Sequence, residues 1–143
     1  MNRQHLCLLT LPLLAACGSL DDSRFATGSS TLVADAGYTT MYMVDADSGV
    51  IGAMDADGAE VGSFELGGEP TRIARLGDKL LVSQRTERSL AVLSQSSDGL
   101  RLDQQITVGA EPVGVVAAED GSFAYVAASL SGTVVEIDGE TMA

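Results

Sequence analysis

The chain has 143 residues, enough for one domain. With 20 acidic against 8 basic residues its formal net charge is −12, which speaks against a general nucleic-acid binder and against electrostatic docking on anionic lipid, both of which need clustered Lys and Arg. A hydrophobic content of 45% excludes a disordered acidic tail, and sixteen glycines with no tryptophan suit an all-β chain of tight turns.

The N-terminus carries one basic residue, Arg3, and then an apolar run from Leu6 to Leu14. This is the pattern of a secretory signal peptide, too short to span a bilayer as a stable helix. Leu14-Ala15-Ala16-Cys17 follows, and it resembles the bacterial lipobox, in which cleavage precedes the cysteine. The resemblance implies a lipoprotein carrying diacylglycerol on Cys17, with a further palmitate-type chain on its amine, because several acyl chains anchor stably where one is marginal. Only Cys7 and Cys17 are present, so a chain processed at this site has one cysteine and no internal disulfide. Gly18 in place of Asp favours the outer membrane under the enterobacterial sorting rule. The expected organisation is a signal peptide over 1–16, a flexible Ser/Asp/Gly-rich tether over 17–30, and a folded region over 31–143.

The folded region repeats. Gly67-Gly68-Glu69-Pro70 recurs as Gly109-Ala110-Glu111-Pro112, with the prolines 42 residues apart. Leu90-Ala91-Val92-Leu93 matches Val134-Val135-Glu136-Ile137 at an offset of 44 residues. Tyr42, Gly49, Ile51 and Asp55 fall on Tyr125, Gly132, Val134 and Asp138 without a gap. The first copy is expected to hold strands over Thr31–Ala36, Met41–Asp45, Val50–Asp55 and Glu60–Leu66. The second is expected to hold them over Thr71–Leu76, Lys79–Ser83, Ser89–Gln95 and Leu100–Val108, and the third over Val113–Ala118, Phe123–Ala128 and Thr133–Asp138. Asp-Gly and Ser-Gly pairs supply the positive φ of the turns between them. Four antiparallel strands recurring every ~40–45 residues predict blades of a β-propeller, over about 31–69, 70–111 and 112–143. A meandering β-sandwich is the alternative, and the doubled Gly-x-Glu-Pro motif and the gapless match favour blades.

The third copy resembles the YVTN-repeat β-propeller family. Val108-Gly109, Pro112, Gly114-Val115, Asp120-Gly121, Tyr125-Val126, Thr133-Val134 and Ile137-Asp138 carry the resemblance, and Ala127-Ala128 replaces the usual Thr-Asn. It covers about residue 31 onwards. It implies the fold and leaves activity open, because the family is functionally mixed. The last copy is expected to stop at Gly139–Ala143 before its fourth strand, giving about two and three-quarter blades. Since propellers close with roughly 4–8 blades and open edges invite aggregation, the chain is expected to be the N-terminal part of a longer propeller.

The residues offer little chemistry. The only histidine, His5, lies in the signal peptide, and the sequence contains no Cys-x-x-Cys-His, zinc set, Ser-His-Asp triad or P-loop. No catalytic residue, cofactor or metal is expected. Asp45-Ala46-Asp47-Ser48-Gly49 and Asp55-Ala56-Asp57-Gly58 fail the EF-hand pattern and are expected to be hairpin turns bearing solvated carboxylates. Charge is uneven, acidic from Thr31 to Glu69 and basic from Thr71 to Asp103. Arg72 or Arg75 is expected near the central channel, with Arg85 and Arg88 on a loop at one rim. These four are the candidate ligand-facing residues, for an anion or acidic partner, against the plainer reading of a solvated surface with inter-blade ion pairs. Tyr42 and Tyr125 are expected to pack in the core or between blades. Together these point to a lipid-anchored envelope module that binds a protein, glycan or small ligand without catalysis. The alternative is the propeller part of a longer enzyme or redox protein of the cytochrome c, d1-haem, amine-dehydrogenase or lactonase kind, with its active residues beyond residue 143.

Overall fold

The computed structural model describes residues 26–28, 30–96 and 98–143; the expected signal peptide, Cys17 and most of the expected tether lie outside the described residues. Every described element is a strand, in three antiparallel sheets of four. β1 (Ala26–Gly28) precedes the first blade, made of β2 (Leu32–Ala34), β3 (Thr40–Asp45), β4 (Val50–Asp55) and β5 (Glu60–Glu65). The second blade contains β6 (Pro70–Leu76), β7 (Lys79–Gln84), β8 (Ser89–Ser96) and β9 (Gly99–Thr107). The third contains β10 (Pro112–Ala118), β11 (Phe123–Ala128) and β12 (Thr133–Asp138). Consecutive strands pair as hairpins within each blade, so the chain is an all-β, partial propeller.

The repeat extends to the irregularities. Register shifts occur between Pro70 and Arg72 and again between Pro112 and Gly114, where proline denies the ladder a donor. They recur between Ala53 and Met54 and between Val92 and Leu93, equivalent places in β4 and β8. The Glu of each Gly-x-Glu-Pro motif has positive φ, 48° at Glu69 and 53° at Glu111. Each then offers its carbonyl to the turn between the second and third strands of its blade. Arg85 N–H donates to Glu69 O at 3.1 Å, and Ser129 N–H donates to Glu111 O at 2.9 Å.

Two apolar layers separate the three blades. Tyr42, Ile51 and Ala53 of the first blade pack on Ile73, Leu80, Val82, Ala91 and Leu93 of the second. On its other face the second blade places Ala74, Leu76, Leu81, Leu90 and Val92 against Val115, Ala117, Ala124, Val126 and Ile137 of the third. Side chains alternate across a strand, so only a sheet with neighbours on both sides reads as a continuous apolar run, as Leu80–Val82 and Leu90–Leu93 do.

One segment departs from the sequence expectations. Ala26–Gly28, within the stretch expected to be a flexible tether, form a strand on the inner edge of β10, with Ala26 opposite Ala118 and Gly28 opposite Val116. Ser30 and Ile73 then exchange backbone bonds at 3.2 and 2.8 Å, so the segment crosses the inner edges of the third and second blades. Unpaired backbone groups on β10 and β6 supply the reason, because they must find partners. The third sheet therefore has four strands, but its fourth is inside, and no described strand pairs the outer edge of β12.

The buried Gln84, at the end of β7, ties the second blade to its approach loop. Its Nε2 donates to Gly67 O at 3.3 Å, and its Oε1 accepts from Ser89 Oγ at 3.1 Å and Gln105 Nε2 at 2.7 Å. Gln84→Leu keeps the side chain's bulk and leaves these groups unpaired. It is expected to cost about 1–3 kcal/mol in chemical denaturation, and an unchanged midpoint would refute this role for Gln84.

Candidate functional site

Turns alternate between the two ends of the blades. The end bearing Gly67–Glu69 also carries the β7–β8 turn at Arg85–Arg88, the approach to β10 at Gly109–Glu111, and the β11–β12 turn at Ser129–Gly132. Glu69, Arg85, Thr86, Arg88, Ala110, Glu111 and Leu130 together line an open groove of about 440 Å³ between the second and third blades. Arg85 and Arg88 are thus brought together on one rim. Glu69, Glu111 and Leu130 were not singled out in the sequence as groove residues, although the Gly-x-Glu-Pro motif marks the first two.

Charge in the groove is mixed. Arg85 Nη2 donates to Glu111 Oε1 at 3.1 Å, an ion pair that joins the second blade to the third across exposed surface. Such a pair contributes about 0–1 kcal/mol, and either partner can turn to a ligand at low cost. Arg88 has no carboxylate within ion-pair distance among the described residues. Its backbone is the more informative feature. Arg88 has φ 55°, in the left-handed region, at the position where the first and third blades have Gly49 at 71° and Gly132 at 65°. A side-chain-bearing residue in that conformation costs roughly 1–2 kcal/mol. The second blade accepts this cost and places a guanidinium on the rim.

Arg72 and Arg75 lie on β6, outside the rim groove. Arg72 is exposed, and its Nη1 donates to Thr71 O at 2.9 Å. Arg75 is half-buried on the same face of β6 as Ile73, near the opposite end from Arg85 and Arg88. The structure therefore gathers two of the four candidate arginines and leaves the other two apart.

Other candidates resolve locally. Asp45 Oδ1 accepts from the N–H groups of Asp47 and Ser48, each at 3.1 Å, and Asp55 Oδ1 accepts from Asp57 and Ala59 at 3.0 and 2.8 Å. These carboxylates hold their own hairpin turns. Among the described residues no three His, Cys, Asp or Glu side chains gather as a metal-ligand set. Tyr42 is buried against the second blade, and its hydroxyl donates to Gln95 Oε1 at 2.9 Å. Burial, followed by the nearby charge of Asp35, raises its pKa. Tyr125, its repeat counterpart, is 39% exposed and donates to Glu136 Oε2 at 2.8 Å. It lies on the face of the third blade that no described residue covers, so its packing differs from the expectation for that reason.

Comparison with known proteins identifies the fold. The chain superimposes on hydrazine synthase from Kuenenia stuttgartiensis with a TM-score of 0.69 at 21% identity, covering 87% of this chain and 37% of that one. A Bacteroides fragilis protein named as a candidate 6-phosphogluconolactonase gives 0.68 at 17% identity, covering 77% and 34%. Virginiamycin B lyase from Staphylococcus aureus gives 0.51 at 10% identity, covering 83% and 43%. The chain spans well under half the length of each. No protein-family model matches the chain, and no curated protein matches it. At these identities the likeness shows the propeller fold alone.

The turn carboxylates predict an acid limit to stability. Hydrogen bonds from Ser48 hold Asp45 below its ordinary 3.8, and those from Thr141 and Glu140 do the same for Asp138. A carboxyl whose folded pKa is lowered contributes stability that is complete above its unfolded value and is lost as pH falls through the folded value. The thermal midpoint is expected to hold from about pH 7 to about pH 5 and then drop steeply below about pH 4. Asp138→Asn is expected to flatten part of that drop, and a pH-independent midpoint down to about pH 2 would contradict the assignment.

Proposed function

We propose that this chain is the propeller-bearing part of a bacterial envelope lipoprotein. It is held at the outer membrane through lipid on Cys17 and binds a ligand at the blade rim without itself supplying catalytic groups. The lipobox-like tetrapeptide supports the anchor, and the YVTN-like spacing of the third repeat supports the family. The observation that carries the binding reading is Arg88, a strained cation on an open groove at a position its two sister blades give to glycine. Backbone strain that a repeat could have avoided is a pointer to function. The groove then takes an anionic group, from an envelope protein, a glycan or a small molecule, on Arg88 and on Arg85 released from Glu111.

The wider assembly is part of the same proposal. Val134 occupies the register position of Ile51 and Leu90 yet is 69% exposed, while its two counterparts are fully buried. Met43, Met54 and Val50 line a shallow apolar depression on the outward face of the first blade. Both faces fit cover by further blades of a longer propeller. The second reading, part of a redox or lactonase-type enzyme, draws on the names of the structural neighbours. Under that reading the active residues lie on blades or domains beyond this chain.

Two experiments test these points. Citrate titrated into the full-length protein is expected to bind with an affinity that falls about tenfold or more in Arg85→Ala/Arg88→Ala, a loss sized for charge-assisted bonds. Arg72→Ala is expected to leave it unchanged, and equal affinity in the double variant would remove the rim from consideration. Arg88→Gly separates strain from function, raising stability by up to about 1 kcal/mol while weakening citrate binding. For the anchor, labelled palmitate is expected to enter the wild-type protein and not Cys17→Ser, and continued labelling of the variant would refute lipidation at Cys17.

A further inference from the structure

The joint between the first two blades is not built like the joint between the second and third. At the end opposite the Arg85–Arg88 rim, Asp35, Tyr42, Arg75, Asp78, Leu80 and Gln95 line a cleft of about 300 Å³. The repeat allows a position-by-position comparison. Strand pairing puts Asp35, Tyr42, Arg75, Leu80 and Gln95 in register with Leu76, Leu81, Ala117, Ala124 and Gly139 of the next joint. Four polar residues of the first joint, Asp35, Tyr42, Arg75 and Gln95, are thus leucine, alanine or glycine in the second, where Leu76, Leu81 and Ala117 are buried, while Asp78 falls on Ser122. That second joint is closed further by a backbone approach. A Cβ on Gly121 would stand 3.4 Å from Gly77 Cα. In the first blade the residue in register with Gly77 and Gly121 is Tyr38, also at positive φ (54°), and 81% exposed. Packing therefore does not require the cleft, since the same fold seals the equivalent space with apolar groups.

The cleft is also chemically arranged. Both oxygens of Asp35 are fixed, Oδ1 by Thr39 N–H at 2.8 Å and Oδ2 by Thr39 Oγ1 at 2.7 Å. Asp78 lies across the cleft on the exposed β6–β7 turn. Arg75 is half-buried and donates one N–H to Gly77 O at 3.1 Å, with no carboxylate in ion-pair distance among the described residues. Its remaining guanidinium donors are oriented but not neutralised. The Tyr42 hydroxyl donates to Gln95 Oε1 and is also bonded by the Thr40 side chain, which leaves the Gln95 amide N–H groups as donors. Leu80 gives the floor an apolar surface.

We propose that this cleft is a binding site for a small zwitterion with a second amine, the chemistry of a basic amino acid. The ligand carboxylate meets the fork of Arg75, geometry for which a guanidinium is well suited. The two amines meet Asp35 and Asp78, and the aliphatic stem lies over Leu80. With one cation against two carboxylates the cleft has a charge of −1, which a ligand of net charge +1 complements. The site is independent of the rim groove, so either can fail without the other.

Calorimetric titration of the full-length protein with L-lysine tests this. Saturable binding is expected, with cadaverine, which lacks the carboxylate, at least about tenfold weaker. Arg75→Ala is expected to weaken L-lysine by about tenfold or more. Because the third blade carries Ala117 at this register, that variant has a precedent in the same fold. Asp78→Asn, on an exposed turn, gives a second reading and is expected to weaken L-lysine while leaving the thermal midpoint unchanged. Absence of saturable L-lysine binding at millimolar concentration overturns the proposal, as does Arg75→Ala binding as tightly as wild type.

Discussion

The middle sheet bears apolar side chains on both faces, and each face is stable only because a neighbouring blade covers it. Leu81, Leu90 and Val92 look toward the third blade, while Val82, Ala91 and Leu93 look toward the first. Full burial of one such Leu or Val is worth about 1.5–3 kcal/mol, so either joint outweighs any ion pair or turn bond in the molecule. Blades of this kind cannot stand alone. A single blade has hydrogen-bonded strands but no core, and stacking neighbours creates one. Among the described residues the two outer blades are then in an unequal position, each covered on one side.

That inequality explains where the sequence was legible and where it was not. Strands β4, β11 and β12 begin and end where turn residues and alternation place them, because those signals are local. The Gly-x-Glu-Pro motif also translates directly, since its positive φ and its carbonyl bond belong to the motif itself. Tyr125 could not be placed in the same way. Its register is that of Tyr42, but burial depends on a neighbouring surface and not on the strand. Gln84 was hidden for a related reason: a glutamine at a strand end reads as solvent-facing until its partners, Gly67, Ser89 and Gln105, are seen to converge from three other segments. Ala26–Gly28 has no alternating apolar pattern, and what makes it a strand is the unpaired edge of β10.

The candidate sites were legible only in part. Composition marked the arginines, and the loop between β7 and β8 placed Arg85 and Arg88 on one rim. It did not show that Glu111 comes across from the third blade to meet Arg85. Nor did it show that Arg75 shares a cleft with Asp35, Tyr42 and Gln95, because that depends on the packing of two blades and not on one strand.

A repeat protein supplies its own control. Where three copies share a backbone, a residue that suits packing should recur, and one that departs from its sisters at a cost needs another explanation. Arg88 departs in conformation, taking the left-handed region that Gly49 and Gly132 take without strain. Asp35, Tyr42, Arg75 and Gln95 depart in polarity, standing where the next joint has Leu76, Leu81, Ala117 and Gly139. Burying polar groups costs free energy unless each is bonded, and here every buried polar side chain among the described residues has a partner. Of the four departing residues Tyr42 is the buried one, and its hydroxyl is bonded to Gln95, while Arg75 keeps donors open to the cleft. The two departures lie at opposite ends of the blades, on different joints, so one cannot be a packing consequence of the other. Positions that recur through the copies hold the fold, and those that depart from their sisters are free to acquire a ligand.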